Sequence, residues 1–147
     1  MTDITGMPWT DNYLLGHAPM DDTHREFVEV VDAMLSCADE DFAQKLRAFI
    51  VHAEKHFADE KAWMEASDFP ATSCHVDDHD AVLGSALEVE PHVLGGNVAI
   101  GRMFAAELAR WFPGHADYLD SALAHWLVKQ KSGGKPVVLR RNVTLPD

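Results

Sequence analysis

The sequence predicts an all-α protein, an up-down-up-down four-helix bundle with an N-terminal arm. Four segments carry apolar residues three and four positions apart, which is the spacing of one face of a helix. Short stretches connect these segments, and short connections favour antiparallel neighbours in a bundle. No alternating strand pattern occurs before residues 137–139, and this short segment comes too late in the chain to build a sheet.

The four predicted helices have recognisable start and stop signals, and their ranges are 19–37, 41–66, 70–91 and 97–130. Proline suits a first helical turn, so Pro19 is expected to open the first helix. Asp39 or Asp41 is expected to cap the second helix. The third helix is expected to end at or before Pro91, because proline has no amide hydrogen to continue the helix. Pro113 lies inside the fourth helix and is expected either to kink it or to divide it.

The first three helices each have one face that is apolar except for histidine and glutamate. These predicted core positions are His24, Phe27, Val31, Met34 and Leu35, then Phe42, Leu46, Phe49, Ala53, His56, Glu60 and Trp63 or Met64, then His75, His79, Val82 and Ala86. Residues 1–18 contain Gly6, Pro8 and Gly16 among scattered apolar residues, and we expect them to form an ordered arm packed on the bundle. Residues 95–96, both glycine, are expected to make the turn before the fourth helix.

Composition and charge exclude several classes of protein. The chain has 147 residues, of which 47% are hydrophobic, as in a globular domain with one core. A net charge of -12 disfavours nucleic acid or an anionic membrane as a partner, and no apolar run is long enough for a membrane span. The first twenty residues contain Asp3 and Asp11 and do not resemble a signal peptide, so a cytoplasmic location is expected. Cys37 and Cys74 are too few for a disulfide framework and are expected to be thiols.

The chain is expected to divide into a domain at residues 1–131 and a short basic tail at residues 132–147. Five of the twelve basic residues follow the last strongly periodic segment, and they are Lys129, Lys131, Lys135, Arg140 and Arg141. Such a tail could contact a membrane or an acidic partner, but a solvated tail is the favoured interpretation.

Nine histidines are unusual for a chain of this length, and the positions of several suggest a metal site. His56 and Glu60 are four residues apart, as are His75 and His79, so each pair projects from one face of its helix. Each pair alone is more often a surface helix pair than a metal pair, and a lone histidine is more often a hydrogen-bonded core residue. The coincidence of both pairs with predicted core faces favours a metal.

His115 and Asp120 are five residues apart, which on a regular helix points them about 140° away from a common face. A widened turn would bring both side chains to one point. The missing amide of Pro113 makes such local loosening plausible. His24 stands alone on the first helix.

Seven buried polar groups on four helices need a common explanation, because an unpartnered buried imidazole or carboxylate costs several kcal/mol. A pair of iron ions would satisfy all seven groups at once. Imidazole and carboxylate ligands together suit first-row metals such as iron, and bundle interiors can hold two such ions between facing helices.

Four motifs of this chain resemble those of the haemerythrin family, and its bacterial single-domain members in particular. They are Met20-Asp21-Asp22-Thr23-His24, His56-Phe57-Ala58-Asp59-Glu60, His75-x-x-x-His79 and Trp111-x-x-x-His115-x-x-x-x-Asp120. The resemblance extends over about residues 7–127. Lys61 departs from the pattern, since bacterial relatives often have a second acid after the bridging glutamate, and Lys61 is expected on the outer face.

The resemblance implies a set of ligands for a non-haem di-iron centre. One iron would be held by His75, His79 and His115, and the other by His24 and His56 with one coordination position open. Glu60 and Asp120 would bridge the two ions, together with an oxo or hydroxo group from solvent. Dioxygen would bind reversibly at the open position, in an apolar pocket formed by Phe27, Phe57, Trp111, Phe112 and Ala116. Ala116 stands where the family often has a bulky aliphatic, so space is expected there unless neighbours fill it.

Three functions are compatible with these expectations. The favoured one is reversible oxygen binding for storage, delivery or sensing. The alternative is a di-iron enzyme that acts on oxygen, peroxide or nitric oxide, which is less favoured because carboxylate-rich sites are typical of oxygen activation in bundles. The third is a metal-free or zinc-bound bundle that serves as an interaction module. The sequence does not identify a protein partner, and a sensing role would require a separate one.

Four histidines, His17, His52, His92 and His125, match no ligand position of the family. His52 precedes His56 by four residues, so it could contact that ligand without binding the metal itself. A partly exposed surface histidine is the favoured interpretation.

Overall fold

The computed structural model describes residues 4–131, which form a four-helix bundle and contain no strand. Its helices are α1 Ala18–Ser36, α2 Phe42–Ala66, α3 Thr72–Leu94, α4 Val98–His115 and α5 Ser121–Lys131. A π-helical turn, Ala116–Asp120, joins α4 to α5, so that these three elements form the fourth rod of the bundle. Each rod packs against the next, and α4 returns to pack against α1. The predicted all-α four-helix bundle is confirmed.

The predicted helical faces form the core of the bundle. All the predicted core residues of α1 are buried, as are those of α2 up to Met64, the second of the two alternatives offered for that position. In α3, Val82 is only half-buried. The apolar core is divided into two clusters. A large cluster lies around Phe27, Phe49 and Phe112, and a small one lies around Met20 and Met64 at the other end.

The N-terminal arm packs on the bundle, as predicted. The Met7 amide donates to the Asp32 carboxylate at 2.8 Å, and the Leu15 and Gly16 amides donate to Asp21 at 2.8 and 3.2 Å. Met7 and Leu15 are buried. Both acceptors are on α1, so this helix holds the described part of the arm along its length.

One predicted helix end and one predicted helix cap were wrong. Helix α3 continues through Pro91 to Leu94. Proline here lies in the last helical turn, where its missing amide costs one hydrogen bond to an exposed part of the helix. The predicted cap of α2 is also absent, since Asp41 makes no side-chain hydrogen bond to the helix and a 3₁₀ turn, Asp39–Asp41, leads into α2. Asp39 instead accepts hydrogen bonds from Arg102 on α4.

The widened turn that was expected between His115 and Asp120 is present. Pro113 lies inside α4, and the widened turn begins three residues later. The Ser121 amide donates to the Ala116 carbonyl five residues earlier, which is the hydrogen bond of a π turn. The glycine turn is also present, and Gly96 adopts a φ of 103° that favours glycine.

None of the helices in the described part of the chain combines the length and the apolar character that a membrane span requires. Both cysteines are free thiols. The predicted basic tail, residues 132–147, and the boundary before it lie at or beyond the end of the described residues, as does the segment at 137–139.

Gly101 lies where α4 closely approaches α2 and α3. A Cβ atom at this position would lie 2.7 Å from Val93 Cγ2 and would overlap the ring of Phe42, which is fully buried. Gly84, in the middle of α3, has open space at the corresponding position. The two glycines therefore form a matched pair of helical sites, one closed and one open.

We predict that Gly101→Ala lowers the free energy of unfolding, whereas Gly84→Ala raises it by about 1 kcal/mol through better helix propensity. At Gly101 an overpacking cost of about 1–3 kcal/mol opposes the same propensity gain, because the added Cβ atom would overlap a fully buried ring. Urea unfolding of the metal-free variants measures both changes. Equal stabilisation by the two substitutions would contradict the packing described at Gly101.

Candidate metal centre

Seven polar side chains from all four rods meet in one buried layer, between the large and the small apolar cluster. They are His24 from α1, His56 and Glu60 from α2, His75 and His79 from α3, His115 from α4, and Asp120 from the π turn. None is more than 6% exposed. The structure thus brings together every residue for which the sequence predicted a metal-ligating role.

The Glu60 carboxylate lies between two groups of histidines. Its Oε1 atom is 3.2 Å from His75 Nε2 and 3.4 Å from His79 Nε2. Its Oε2 atom is 2.7 Å from His56 Nε2 and 3.5 Å from His24 Nε2. One oxygen therefore faces α3, and the other faces α1 and the neighbouring turn of α2.

The Asp120 carboxylate is divided in the same way. Its Oδ1 atom is 3.0 Å from His75 Nε2 and 3.1 Å from His115 Nε2, and its Oδ2 atom is 3.1 Å from His24 Nε2. The site therefore has a three-histidine half (His75, His79, His115) and a two-histidine half (His24, His56). Both carboxylates offer one oxygen to each half.

The π turn is what allows His115 and Asp120 to act together. In a regular helix, residues five apart point in different directions, whereas the additional residue in the π turn restores a common direction. As a result His115 Nε2 and Asp120 Oδ1 are 3.1 Å apart.

The donor atoms fit a bound cation better than they fit one another. Several buried polar atoms of this layer have no hydrogen-bond partner, although polar neighbours surround them; they are both ring nitrogens of His24 and His75, His79 Nδ1, Glu60 Oε1 and both oxygens of Asp120. The Nε2 atoms of His79 and His115 are 3.1 Å apart. When two ligand atoms each lie about 2.1 Å from one ion and subtend a right angle at that ion, they are about 3 Å apart. Groups of these residues can hold a metal ion on each side of Glu60.

Without a cation, the layer balances its charges internally. Burial disfavours the charged form of His24, but the charge and contacts of Asp120 and Glu60 raise its pKa to about 10. The pKa of His75 rises against the same burial to about 9 through its contacts with Asp120 and Glu60. Burial lowers the pKa of His79 to about 3. His24 and His75 therefore carry protons opposite the two carboxylates in the metal-free layer.

Both carboxylates stay ionised in this layer. Burial alone would raise the pKa of Glu60 and that of Asp120, but the surrounding imidazoles hold both below their usual range, His56 and His24 at Glu60, and His24 and His115 at Asp120. The carboxylates are therefore available as anionic ligands at neutral pH.

Aromatic rings cover the histidines on the side of the large apolar cluster. Phe57 stacks on His79 with ring centres 4.0 Å apart, and Trp111 stacks on His115 at 4.2 Å. Phe112 and His24 form an edge-to-face pair with ring centres 5.2 Å apart. Phe27 stacks on Phe112, and its ring centre lies 6.0 Å from the ring centre of His56. Four of the five predicted pocket residues therefore lie around the layer.

Ala116, the fifth predicted pocket residue, belongs to the same apolar cluster as Phe27, Phe57 and Phe112. Its side chain is 1% exposed. Ala116 is therefore shielded from bulk solvent.

Asp78 is a site residue that the sequence analysis missed. Its Oδ2 atom lies 2.6 Å from His115 Nδ1 and accepts a hydrogen bond from Trp111 Nε1 at 3.2 Å. A carboxylate in this position orients a metal-binding histidine and favours the tautomer that leaves Nε2 free. Asp78 adjoins His79 in sequence, but only the packing of α3 against α4 brings it to His115, so helical spacing gives no signal for it.

The prediction that His52 is partly exposed was wrong. His52 is 6% exposed, its Nε2 atom lies 3.0 Å from His56 Nδ1, and its Nδ1 atom lies 2.8 Å from Glu26 Oε1. Burial lowers the pKa of His52, against the opposing effect of Glu26. The spacing of four residues from His56 was the signal for this contact, and the supporting interpretation that it allowed is the one that the structure favours.

The other unassigned histidines lie outside the layer. His17 is half-buried and accepts a hydrogen bond from the Met20 amide, so it caps α1. His92 and His125 are exposed. Lys61 is exposed as well, in agreement with its predicted place on the outer face.

Comparison with known proteins assigns the chain to a family. The profile of the hemerythrin HHE cation binding domain matches residues 15–127, a range that contains all seven residues of the buried layer. The chain is also 40% identical over 122 residues to a bacteriohemerythrin from Ralstonia nicotianae, and the match covers 83% of this chain and 89% of that relative. The chain belongs to the haemerythrin family.

Proposed function

We propose that this protein binds dioxygen reversibly at a non-haem di-iron centre, for storage, delivery or sensing. One observation carries the proposal: Glu60 and Asp120 each direct one oxygen to the three-histidine half and the other to the two-histidine half. Two anions placed in this way would neutralise two cations held close together in a low-dielectric core. Membership in the haemerythrin family and the similarity to a bacteriohemerythrin support iron as the metal and oxygen as the ligand.

The residues divide between the two ions as the halves do. His75, His79 and His115 would hold one iron, and His24 and His56 would hold the other. Glu60 and Asp120 would bridge them, with an oxo or hydroxo group from solvent as the third bridge. The two-histidine half has one protein ligand fewer, so it is where the open position for dioxygen is expected.

When bound, two ferrous ions supply the electrons with which dioxygen can be held reversibly. The chain's own residues would protect that state. Phe27 and Phe112 are fully buried against His24 and His56, the histidines of the open half. Their rings would exclude water and protons from the open position. Without protons, bound oxygen would leave as dioxygen and not as a reduced, protonated product.

A di-iron enzyme that acts on oxygen, peroxide or nitric oxide is the alternative function. The balance of ligands argues against it, since five imidazoles and two carboxylates form a less anionic set than the carboxylate-rich sites of oxygen-activating bundles.

A cytoplasmic location stays a prediction from the sequence.

The proposal predicts that the purified chain, reconstituted anaerobically with ferrous iron, holds about two ions per chain, because the layer has two halves that share both carboxylates. Oxygen should then produce a coloured form, and removal of oxygen should bleach it again over several cycles. Metal analysis and the absorption spectrum measure the two effects. Sustained oxygen consumption in the presence of a reductant would favour the enzymatic alternative.

Asp120→Asn tests the bridging role of Asp120, and Glu65→Gln is its control. It removes one bridging charge while keeping the size of the side chain, so repulsion between two cations increases and one or both ions should be lost. Glu65→Gln, an equivalent change at an exposed position of α2, should keep both. A wild-type chain that holds no iron or only one ion, or an Asp120→Asn chain with full iron and reversible oxygen binding, would contradict the proposal.

The pKa values of the metal-free layer predict release of protons on metal binding. His24 and His75, with pKa values of about 10 and 9, carry protons at pH 7.5, and a metal ion requires the neutral imidazole. Binding of cobalt(II) at pH 7.5 should therefore release at least about two protons per chain. The apparent affinity should weaken as the pH is lowered from 8.5 to 6.5. A pH-indicator dye in weak buffer measures the release, and an affinity independent of pH would contradict this account.

A further inference from the structure

A hydrogen-bonded chain connects the two-histidine half to the surface of the bundle. His56 Nδ1 lies 3.0 Å from His52 Nε2, and His52 Nδ1 lies 2.8 Å from Glu26 Oε1. The His52 side chain is 3% exposed, and that of Glu26 is 63% exposed. Glu26 belongs to α1 and both histidines to α2, so the chain crosses the contact between these two helices.

The direction of each hydrogen bond follows from the site. His56 Nε2 faces Glu60 Oε2 at 2.7 Å, inside the layer, and needs a free lone pair to hold a cation. The proton of the neutral His56 ring is then on Nδ1, which donates to His52 Nε2. His52 accepts at Nε2 and therefore carries its own proton on Nδ1, which donates to the Glu26 carboxylate. Glu26 thus fixes the tautomers of two histidines in series.

We infer that His52, held by Glu26, is a positioning residue that sets the metal affinity of the two-histidine half. The inference rests on the proposed function, since it assigns a role toward an ion in that half. In the described structure His24 Nδ1 has no hydrogen-bond partner, so His56 is the histidine of this half whose outer nitrogen is held. The three-histidine half is served differently, because Asp78 contacts His115 directly.

Exposure distinguishes this role from simple packing. A side chain that is 63% exposed adds little to the core, so removal of Glu26 should leave the fold intact. If His52 only filled space, Glu26 would not affect metal binding. If His52 positions His56, Glu26 affects metal binding, and only while His52 is present.

The test titrates the metal-free chain with cobalt(II) and follows the two binding steps by absorption. His52→Leu and Glu26→Ala should each weaken the binding of one of the two ions roughly tenfold or more, the scale on which outer hydrogen-bond partners act. The step that belongs to the three-histidine half should keep its affinity. His52→Gln should recover much of the loss, because its amide can accept from His56 and donate to Glu26.

The controls make the same substitutions at exposed residues of the same type. His125→Leu is the control for His52→Leu, and Glu29→Ala is the control for Glu26→Ala. In the His52→Leu background, Glu26→Ala should cause no further loss, since the carboxylate acts through the histidine. If His52→Leu fails to fold, as judged by circular dichroism, Glu26→Ala and His52→Gln decide the question.

The outcomes separate the two proposals. A wild-type chain that binds fewer than two ions contradicts the proposed function and this inference with it. A wild-type chain that binds two ions, together with Glu26→Ala and His52 variants of unchanged affinity, contradicts the inference alone. Equal weakening of both steps, or additive losses in the double variant, would indicate a general structural role and also overturn it.

Discussion

The structure depends on the compensation of charge in one buried layer. Two carboxylates and five imidazoles span the bundle with almost no access to water, between two apolar clusters. Each unpaired ion in such a place would cost several kcal/mol, which is a large fraction of the stability of a small domain. In the metal-free chain the balance is met by protons on His24 and His75. Two cations would meet the same balance with better geometry, because they satisfy the ring nitrogens and carboxylate oxygens that have no hydrogen-bond partner.

The layer explains irregular features of the fold that packing alone would not require. The π turn interrupts the fourth rod between α4 and α5, and it places Asp120 beside His115. Pro113 lies just before it and removes an amide that a regular helix would have used. Irregular helical turns of this kind are frequent at functional sites, and here the irregularity supplies one of the two shared anions. The apolar clusters above and below the layer hold the rods in register, so that seven side chains from separate elements can meet.

Much of this arrangement could be predicted from the sequence, because spacing within a helix determines which residues share a face. The core faces of α1 and α2, the widened turn at Ala116–Asp120 and the meeting of the seven polar residues all follow from such local spacing. What could not be predicted depends on contacts between helices. Asp78 reaches His115 only through the packing of α3 on α4, and His52 meets Glu26 only through the packing of α2 on α1. The course of α3 through Pro91 was missed because the cost of a proline depends on its place within the helix and on its exposure.

The central claim is that two metal ions share Glu60 and Asp120 between two unequal sets of histidines. Crystals of the chain loaded anaerobically with ferrous iron, measured at the iron absorption edge, test this claim most directly. The account predicts two anomalous peaks, one beside His75, His79 and His115 and one beside His24 and His56, with an oxygen of each carboxylate at both. A single peak, or two peaks that do not share the carboxylates, would contradict it.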